Sequence, residues 1–256
     1  MTNTGSTDDV SKTRRLVRFR NSKESNTPLR KFLKNPIVAF IVDILGIVLT
    51  ALVLSLLIKG FLIRSFFIPS GSMLNTLQIN DRIIVNELVP NVVPIERGDV
   101  VVFRDPGGWL GPVEDKQVPI VTQAVDWVLS SFGITAPDSD VHLVKRVIGI
   151  AGDHVVCCSV NHKIMVNGVE ITEPYIKQGE VPSSVKFDIV VPADSIWVMG
   201  DNRGNSEDSR FHGDLPSKGF VNKKFIVGRA FLITFPFAHF GWLDNYSSVF
   251  KNVPNP

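Results

Sequence analysis

Residues 37–58, IVAFIVDILGIVLTALVLSLLI, are the strongest constraint on what this chain can fold into. A helix of this length rises about 33 Å at 1.5 Å per residue, enough to cross the hydrocarbon core of a bilayer. The stretch is too long for the apolar region of a cleavable signal peptide, its leading segment is also too long, and no A-x-A site follows. It therefore reads as an anchor. Its single charge, Asp43, lies about two turns from one end, where a carboxylate near the interface is tolerated. Residues 1–36 are rich in Ser, Thr, Asn and basic side chains and read as a disordered tail. Nine Lys and Arg residues precede position 35, against Asp8, Asp9 and Glu24. Beyond the apolar run the nearest basic residues are Lys59 and Arg64. This asymmetry predicts a cytoplasmic N-terminus and an extracytoplasmic remainder. A basic arm could bind nucleic acid, but one that runs straight into an anchor is better explained by membrane topology.

From residue 65 onward the pattern is mainly β. Arg82–Glu87 and Gly98–Arg104 are short β-branched runs bounded by turn residues, and His154–Ser159 and Lys163–Gly168 flank a hairpin turn at Val160–His162. Further strands are expected at Lys186–Val191, Ser195–Met199 and Gly228–Phe235. Residues 105–141 open on DPGGWLGP and contain a possible amphipathic helix at 120–132, so they read as an insertion on the β framework. The apolar stretch 225–243 is not a second span, because Arg229, Pro236, His239 and a central Gly interrupt it. It reads as a strand followed by an aromatic surface patch.

Cys157 and Cys158 are adjacent, and neighbouring Cα atoms about 3.8 Å apart are closer than a disulfide usually spans. No disulfide framework is expected, and the pair assigns no redox compartment. His142, His154, His162, His212 and His239 show no HExxH or Cys/His ligand spacing, so no metal site and no cofactor are expected.

Three stretches carry candidate chemistry: PSGSM at 69–73, LVKRVIGIAGD at 143–153 and MGDNRGNSEDSR at 199–210. A serine hydroxyl must lose its proton to attack a carbonyl, so it needs a positioned base. No histidine lies in a comparable motif, and a GxSxG elbow is absent. A lysine can act as that base once it is neutral, and burial among apolar neighbours disfavours the ammonium. Lys145 lies between Leu143-Val144 and Val147-Ile148, with no acid beside it in the sequence. Ser183-Ser184-Val185-Lys186 also fits an S-x-x-K pattern, but it runs into a strand rather than opening a helix, and the companion SDN and KTG motifs are missing.

Together the three stretches resemble the signature boxes of the type I signal peptidases, membrane-bound Ser/Lys proteases that remove signal peptides. RGDVVVF at 97–103 resembles a fourth, structural box. The resemblance covers the anchor and residues 65–243. It departs at Asn75, Ala151 and Gly204, where the family usually has proline, proline and aspartate. It implies a mainly β fold: one transmembrane helix, then an extracytoplasmic antiparallel β-sheet catalytic domain, at 65–256, of the type shared with SOS-repressor proteases. It also implies Ser72 as nucleophile and Lys145 as general base. Ser70 and the Ser72 N–H match the oxyanion hole, and Ser206 matches the residue that orients the lysine. Asp208 with Arg210, and Asp201 with Arg146, match supporting ion pairs.

The expected activity is removal of signal peptides from exported preproteins at the outer membrane face, near the secretion translocon. An extended substrate would pair with Phe66–Pro69 as an added strand, so its residues −1 and −3 face the enzyme together. The resemblance places Ile68, Met73, Leu77 and Val144 around them, with Phe66 nearby, walls that admit alanine-sized side chains. Two alternatives stay open: a self-cleaving Ser/Lys protease, which would carry a DNA-binding domain not seen in this sequence, and a catalytically silent anchored domain that binds exported peptides.

Overall fold

Short apolar runs separated by turn residues satisfy most of their backbone groups by pairing with one another, and among the described residues they pair antiparallel. The computed structural model describes residues 36–111 and 142–256, with the side chains of 56–61 left aside. The basic tail and most of the 105–141 insertion, including the helix expected at 120–132, lie outside the described residues. The chain divides into two compact units between Ala51 and Leu52.

Helix α1, Pro36–Phe61, contains the apolar run and extends three residues beyond its end. Over Pro36–Ser55 it is long and apolar enough to cross a membrane, and no part of that stretch is buried within the protein. Apolar side chains on all faces suit lipid rather than water. Thr50 returns its hydroxyl to the Gly46 carbonyl at 2.8 Å, so its polar group is satisfied inside the helix.

Twelve strands follow among the described residues. They are β1 (Ile63–Phe67), β2 (Arg82–Asn86), β3 (Val100–Arg104), β4 (His142–Ile150), β5 (His154–Cys157) and β6 (Ile164–Val166), then β7 (Val169–Glu170), β8 (Phe187–Val190), β9 (Ser195–Met199), β10 (Val221–Asn222), β11 (Ile226–Phe235) and β12 (Gly241–Trp242). The larger sheet runs β1-β2-β11-β3-β4-β9-β10, with β12 paired to β11, and the smaller runs β7-β6-β5-β8. The runs read as strands from the sequence are strands, each within a few residues of its expected ends. The stretch 225–243 forms β11, a short 3-10 turn and β12, and leaves Phe237 and Trp242 largely exposed.

Strand β4 determines where the chemistry can sit. Its residues from Lys145 to Gly149 are all buried, because both of its faces are covered. Leu143 and Val147 pack with Phe103 and Val198, whereas Ile148 packs with Val155, Trp197 and Met199 between the two sheets. A Cβ at Gly149 would lie 2.7 Å from the Val155 side chain, so the close approach of β4 to β5 requires glycine there. A lysine on such a strand is withdrawn from water by the fold itself.

The expectation for the cysteines is corrected. Cys157 and Cys158 are joined by a disulfide. The peptide between them is cis, which brings their Cα atoms to 2.9 Å, whereas the sequence reading assumed the spacing of a trans peptide.

Candidate active site

After β1 the chain leaves the sheet and coils through residues 69–77. Leu74 N–H bonds the Gly71 carbonyl at 3.2 Å, and Leu77 N–H bonds that of Met73 at 2.8 Å. Met73 and Leu77 anchor the turn in the core with Ile83 and Val85. Between these anchors Ser72 is almost wholly buried. Asn202 fixes the backbone around it: its side-chain amide donates to the Gly71 carbonyl at 2.8 Å, and its N–H to the Ser72 carbonyl at 3.1 Å. This contact needs Gly200, because a Cβ there would collide with the Ser72 carbonyl and the Ser206 side chain.

Lys145, opposite Val101 on β3, turns its amine toward the same turn. Nζ lies 2.8 Å from Ser72 Oγ and 3.2 Å from the Val144 carbonyl. Burial lowers the amine to about 8, against the opposing pull of Asp208, Asp201 and Glu207. The sequence shows no acid beside Lys145, but the fold brings these three within electrostatic range. Desolvation outweighs them.

The two expected ion pairs are formed, and both are buried. Arg146 holds Asp201 bidentately, Nη2–Oδ2 at 2.7 Å and Nε–Oδ1 at 2.9 Å. Its guanidinium also donates to the Gly98 carbonyl at 2.7 Å and lies 4.2 Å from the Tyr175 ring centre and 5.3 Å from that of Tyr246. Thr76 donates its hydroxyl to the same Asp201 carboxylate. Arg210 holds Asp208 through Nε and Nη2, both at 2.8 Å, and Asp208 accepts the Gly200 N–H at 2.9 Å. Arg97, in the RGDVVVF stretch, pairs with Asp153 at 2.6 Å and so ties that stretch to the end of the lysine-bearing one.

Ser70 Oγ lies 3.4 Å from Ser72 Oγ. Ser206 is buried beside them, and its hydroxyl has no hydrogen-bond partner among the described residues. Phe66, Ile68, Pro69, Met73 and Val144 line a cavity of about 120 Å³ that also holds Ser70, Ser72 and Lys145. Leu77 does not line it and is fully buried in the core beneath. Phe67, Leu110, His142 and Leu143 line the cavity as well and were not singled out from the sequence. Phe67 and Leu143 are adjacent to residues that were, so strand neighbours of the motifs offered a signal; His142 and Leu110 offered none. A larger cavity of about 580 Å³, flanked by Asp99, Arg229 and Trp242, includes neither Ser72 nor Lys145.

Further residues support the loop at 200–210 without having announced themselves in the sequence. Arg203 pairs with Glu173 at 2.6 Å, both side chains almost wholly buried. At Gly204, where the resembled family usually has aspartate, a Cβ would lie 2.5 Å from Glu180 Oε2. A carboxylate from another segment therefore occupies the space beside this glycine.

A serine hydroxyl bonded to a buried amine, beside a groove at an antiparallel sheet, has the parts that a serine hydrolase requires. Comparison with known proteins narrows this class. Residues 41–235 match the family model described as signal peptidase, peptidase S26. A probable signal peptidase I of Mycobacterium leprae is 32% identical over 208 residues, 70% of this chain and 71% of that protein. Signal peptidase I of Mycobacterium tuberculosis H37Rv is 36% identical over 195 residues, 68% and 65% of the two chains. The chain thus spans about two thirds of the length of these relatives. A crystal structure of a signal peptidase I from Enterococcus faecalis V583 aligns with 53% of this chain and 95% of its own, at 20% identity and a TM-score of 0.33. The chain belongs to the signal peptidase family, peptidase S26.

Proposed function

We propose that this chain removes N-terminal signal peptides from exported preproteins, with Ser72 as nucleophile and Lys145 as general base. The observation that carries the reading is the 2.8 Å contact between Lys145 Nζ and Ser72 Oγ in a buried setting that favours the neutral amine. Neutral Lys145 accepts the Ser72 proton as Oγ attacks the scissile carbonyl carbon. The resulting oxyanion is met by the Ser72 N–H and the Ser70 hydroxyl. Lys145 then returns its proton to the departing amine, leaving the signal peptide esterified to Ser72. A water molecule, deprotonated by the same amine, hydrolyses the ester and regenerates the enzyme. Ser206 is assigned to orient the amine, a role supported by its buried hydroxyl, which has no hydrogen-bond partner among the described residues. Asp208–Arg210 and Asp201–Arg146 hold the two loops on which the pair depends.

The narrow apolar cavity supports cleavage after small residues. An extended substrate beside Phe66–Pro69 points residues −1 and −3 at walls made by Phe66, Ile68, Met73 and Val144. The basic tail is assigned to the cytoplasm, α1 to the lipid bilayer and residues 65–256 to the outer side of the cell membrane, near the translocon.

The test is a purified-enzyme assay with a preprotein bearing A-x-A before its mature sequence. The full chain, in detergent micelles, is expected to release the mature protein, and Ser72→Ala to release none. Cleavage of the enzyme's own chain alone would favour a self-cleaving protease, and binding without turnover a silent peptide-binding domain. Cleavage after large or basic −1 residues as fast as after alanine would reject the specificity.

A further inference from the structure

We propose that Leu110 is a specificity-determining residue, the wall that limits the substrate side chain at position −3. This rests on the signal-peptide reading of the Ser72 groove. Strand β3 ends at Arg104, which pairs with His142 at the start of β4. The segment Asp105–Leu110 therefore leaves the sheet at the His142 end of the cavity. Lys145 lies three residues along β4 from that point, about 10 Å at 3.3 Å per residue. In a substrate strand, −3 is two residues from −1, about 7 Å away. With −1 held at Ser72 and Lys145, the −3 side chain falls toward Phe66, His142 and Leu110, which share this cavity.

Leu110 is held there by its neighbours. The Asp105 carboxylate accepts the N–H groups of Gly107 at 2.8 Å, Trp109 at 3.0 Å and Leu110 itself at 3.1 Å. Burial pushes the Asp105 carboxyl up, but these backbone donors outweigh it and hold it below its usual range. Trp109 is buried, meets Phe103 edge-on at 5.7 Å and stacks on His212 at 4.2 Å with the rings nearly parallel. His212 Nδ1 in turn lies 2.8 Å from the Asp208 carbonyl, so the base of this loop is fastened to the segment that carries Ser206 and Asp208. Leu110 itself remains 37% exposed, an apolar side chain facing the groove on a rigid mount. Its removal alters the size of the groove without touching Ser72, Lys145 or the turn that holds it.

The test measures kcat/KM on matched preproteins with Ala, Val or Leu at −3 and Ala at −1, and on one with Leu at −1. Leu110→Ala is expected to raise kcat/KM for −3 Leu by about 10-fold or more relative to −3 Ala, the scale on which a pocket discriminates methylene groups. The −1 Leu substrate should stay uncut. Leu110→Phe should act in the opposite sense, lowering −3 Val relative to −3 Ala. A general defect would lower all substrates together in both variants, so opposite shifts separate specificity from folding. Ratios unchanged within about twofold in both variants, or relaxation at −1 instead of −3, would overturn the assignment. If the wild-type enzyme cut none of these substrates, the signal-peptide reading itself would fall, and this inference with it.

Discussion

Lys145 and Arg146 are consecutive on β4 and both are buried, but they are treated oppositely: Arg146 grips the Asp201 carboxylate at 2.7 Å, while among the described residues Lys145 bonds a hydroxyl and a carbonyl and no carboxylate. A guanidinium does not deprotonate in proteins, so its burial requires a counter-ion. An ammonium left without one yields its proton instead. The ion pair keeps one charge in the strand, and the missing pair lets burial bring the lysine down to about 8.

The pH dependence follows from the lysine near 8. The base must be neutral, so kcat/KM should rise with pH and level off above about 8, with one proton controlling the rise. A profile flat from pH 6 to 9 would reject Lys145 as the base. Lys145→Arg should be inactive throughout that range.

Stability should also rise with pH, over a higher range. The folded amine titrates about 8 rather than 10.5, so between these values the unfolded chain binds a proton that the folded one does not, and stability rises with pH. Below about 8 the buried lysine destabilises the fold by about 3 kcal/mol. Lys145→Met should therefore abolish activity yet raise the thermal midpoint at pH 7, with the gain shrinking as the buffer approaches pH 10. Equal shifts at pH 7 and pH 10 would contradict the depressed value.

Breaking the neighbouring pair should be costly. Asp201→Ala leaves Arg146 buried without its counter-ion and is expected to lose about 3–5 kcal/mol in denaturant unfolding. A loss under 1 kcal/mol would mean that water or another group compensates.

Ser70→Ala should leave the fold and KM nearly unchanged and lower kcat by about 10- to 1000-fold, as for one oxyanion donor. No change in kcat would remove Ser70 from the oxyanion hole, and a change in KM alone would assign it to ground-state binding.

At Gly204, Asp should be tolerated badly because the Glu180 carboxylate already fills the space. Gly204→Asp is expected to cost about 1–3 kcal/mol, and Glu180→Ala in the same chain to recover most of it. Additive effects of the two substitutions would show that the sites do not interact.

The parts of the site legible in the sequence were those whose signal is local. Ser72, Lys145, Asp201 and Asp208 sit in short ordered motifs, and the strands around them follow from β-branched runs between turn residues. What escaped reading was contributed from a distance. Tyr175 and Tyr246 against Arg146, Glu180 beside Gly204 and Leu110 in the groove belong to segments with no motif of their own, and only the sheet order brings them in. Leu77 shows the converse limit: it was expected as a wall of the substrate cavity but packs in the core with Ile83 and Val85 instead. The bond between Cys157 and Cys158 depends on a local peptide geometry that residue types do not announce.

Ser72 and Lys145 lie 73 positions apart, and the strands nearest them, β1 and β4, are joined in the sheet only through β2, β11 and β3, so the two meet only in the folded chain. Before that, the lysine is solvated and protonated at neutral pH, and the serine is no more reactive than an ordinary alcohol. In a newly made chain neither residue is yet poised to react. On the proposed Ser72–Lys145 mechanism, closure of the sheet serves as a safety catch, arming the hydroxyl in the same event that shapes the groove.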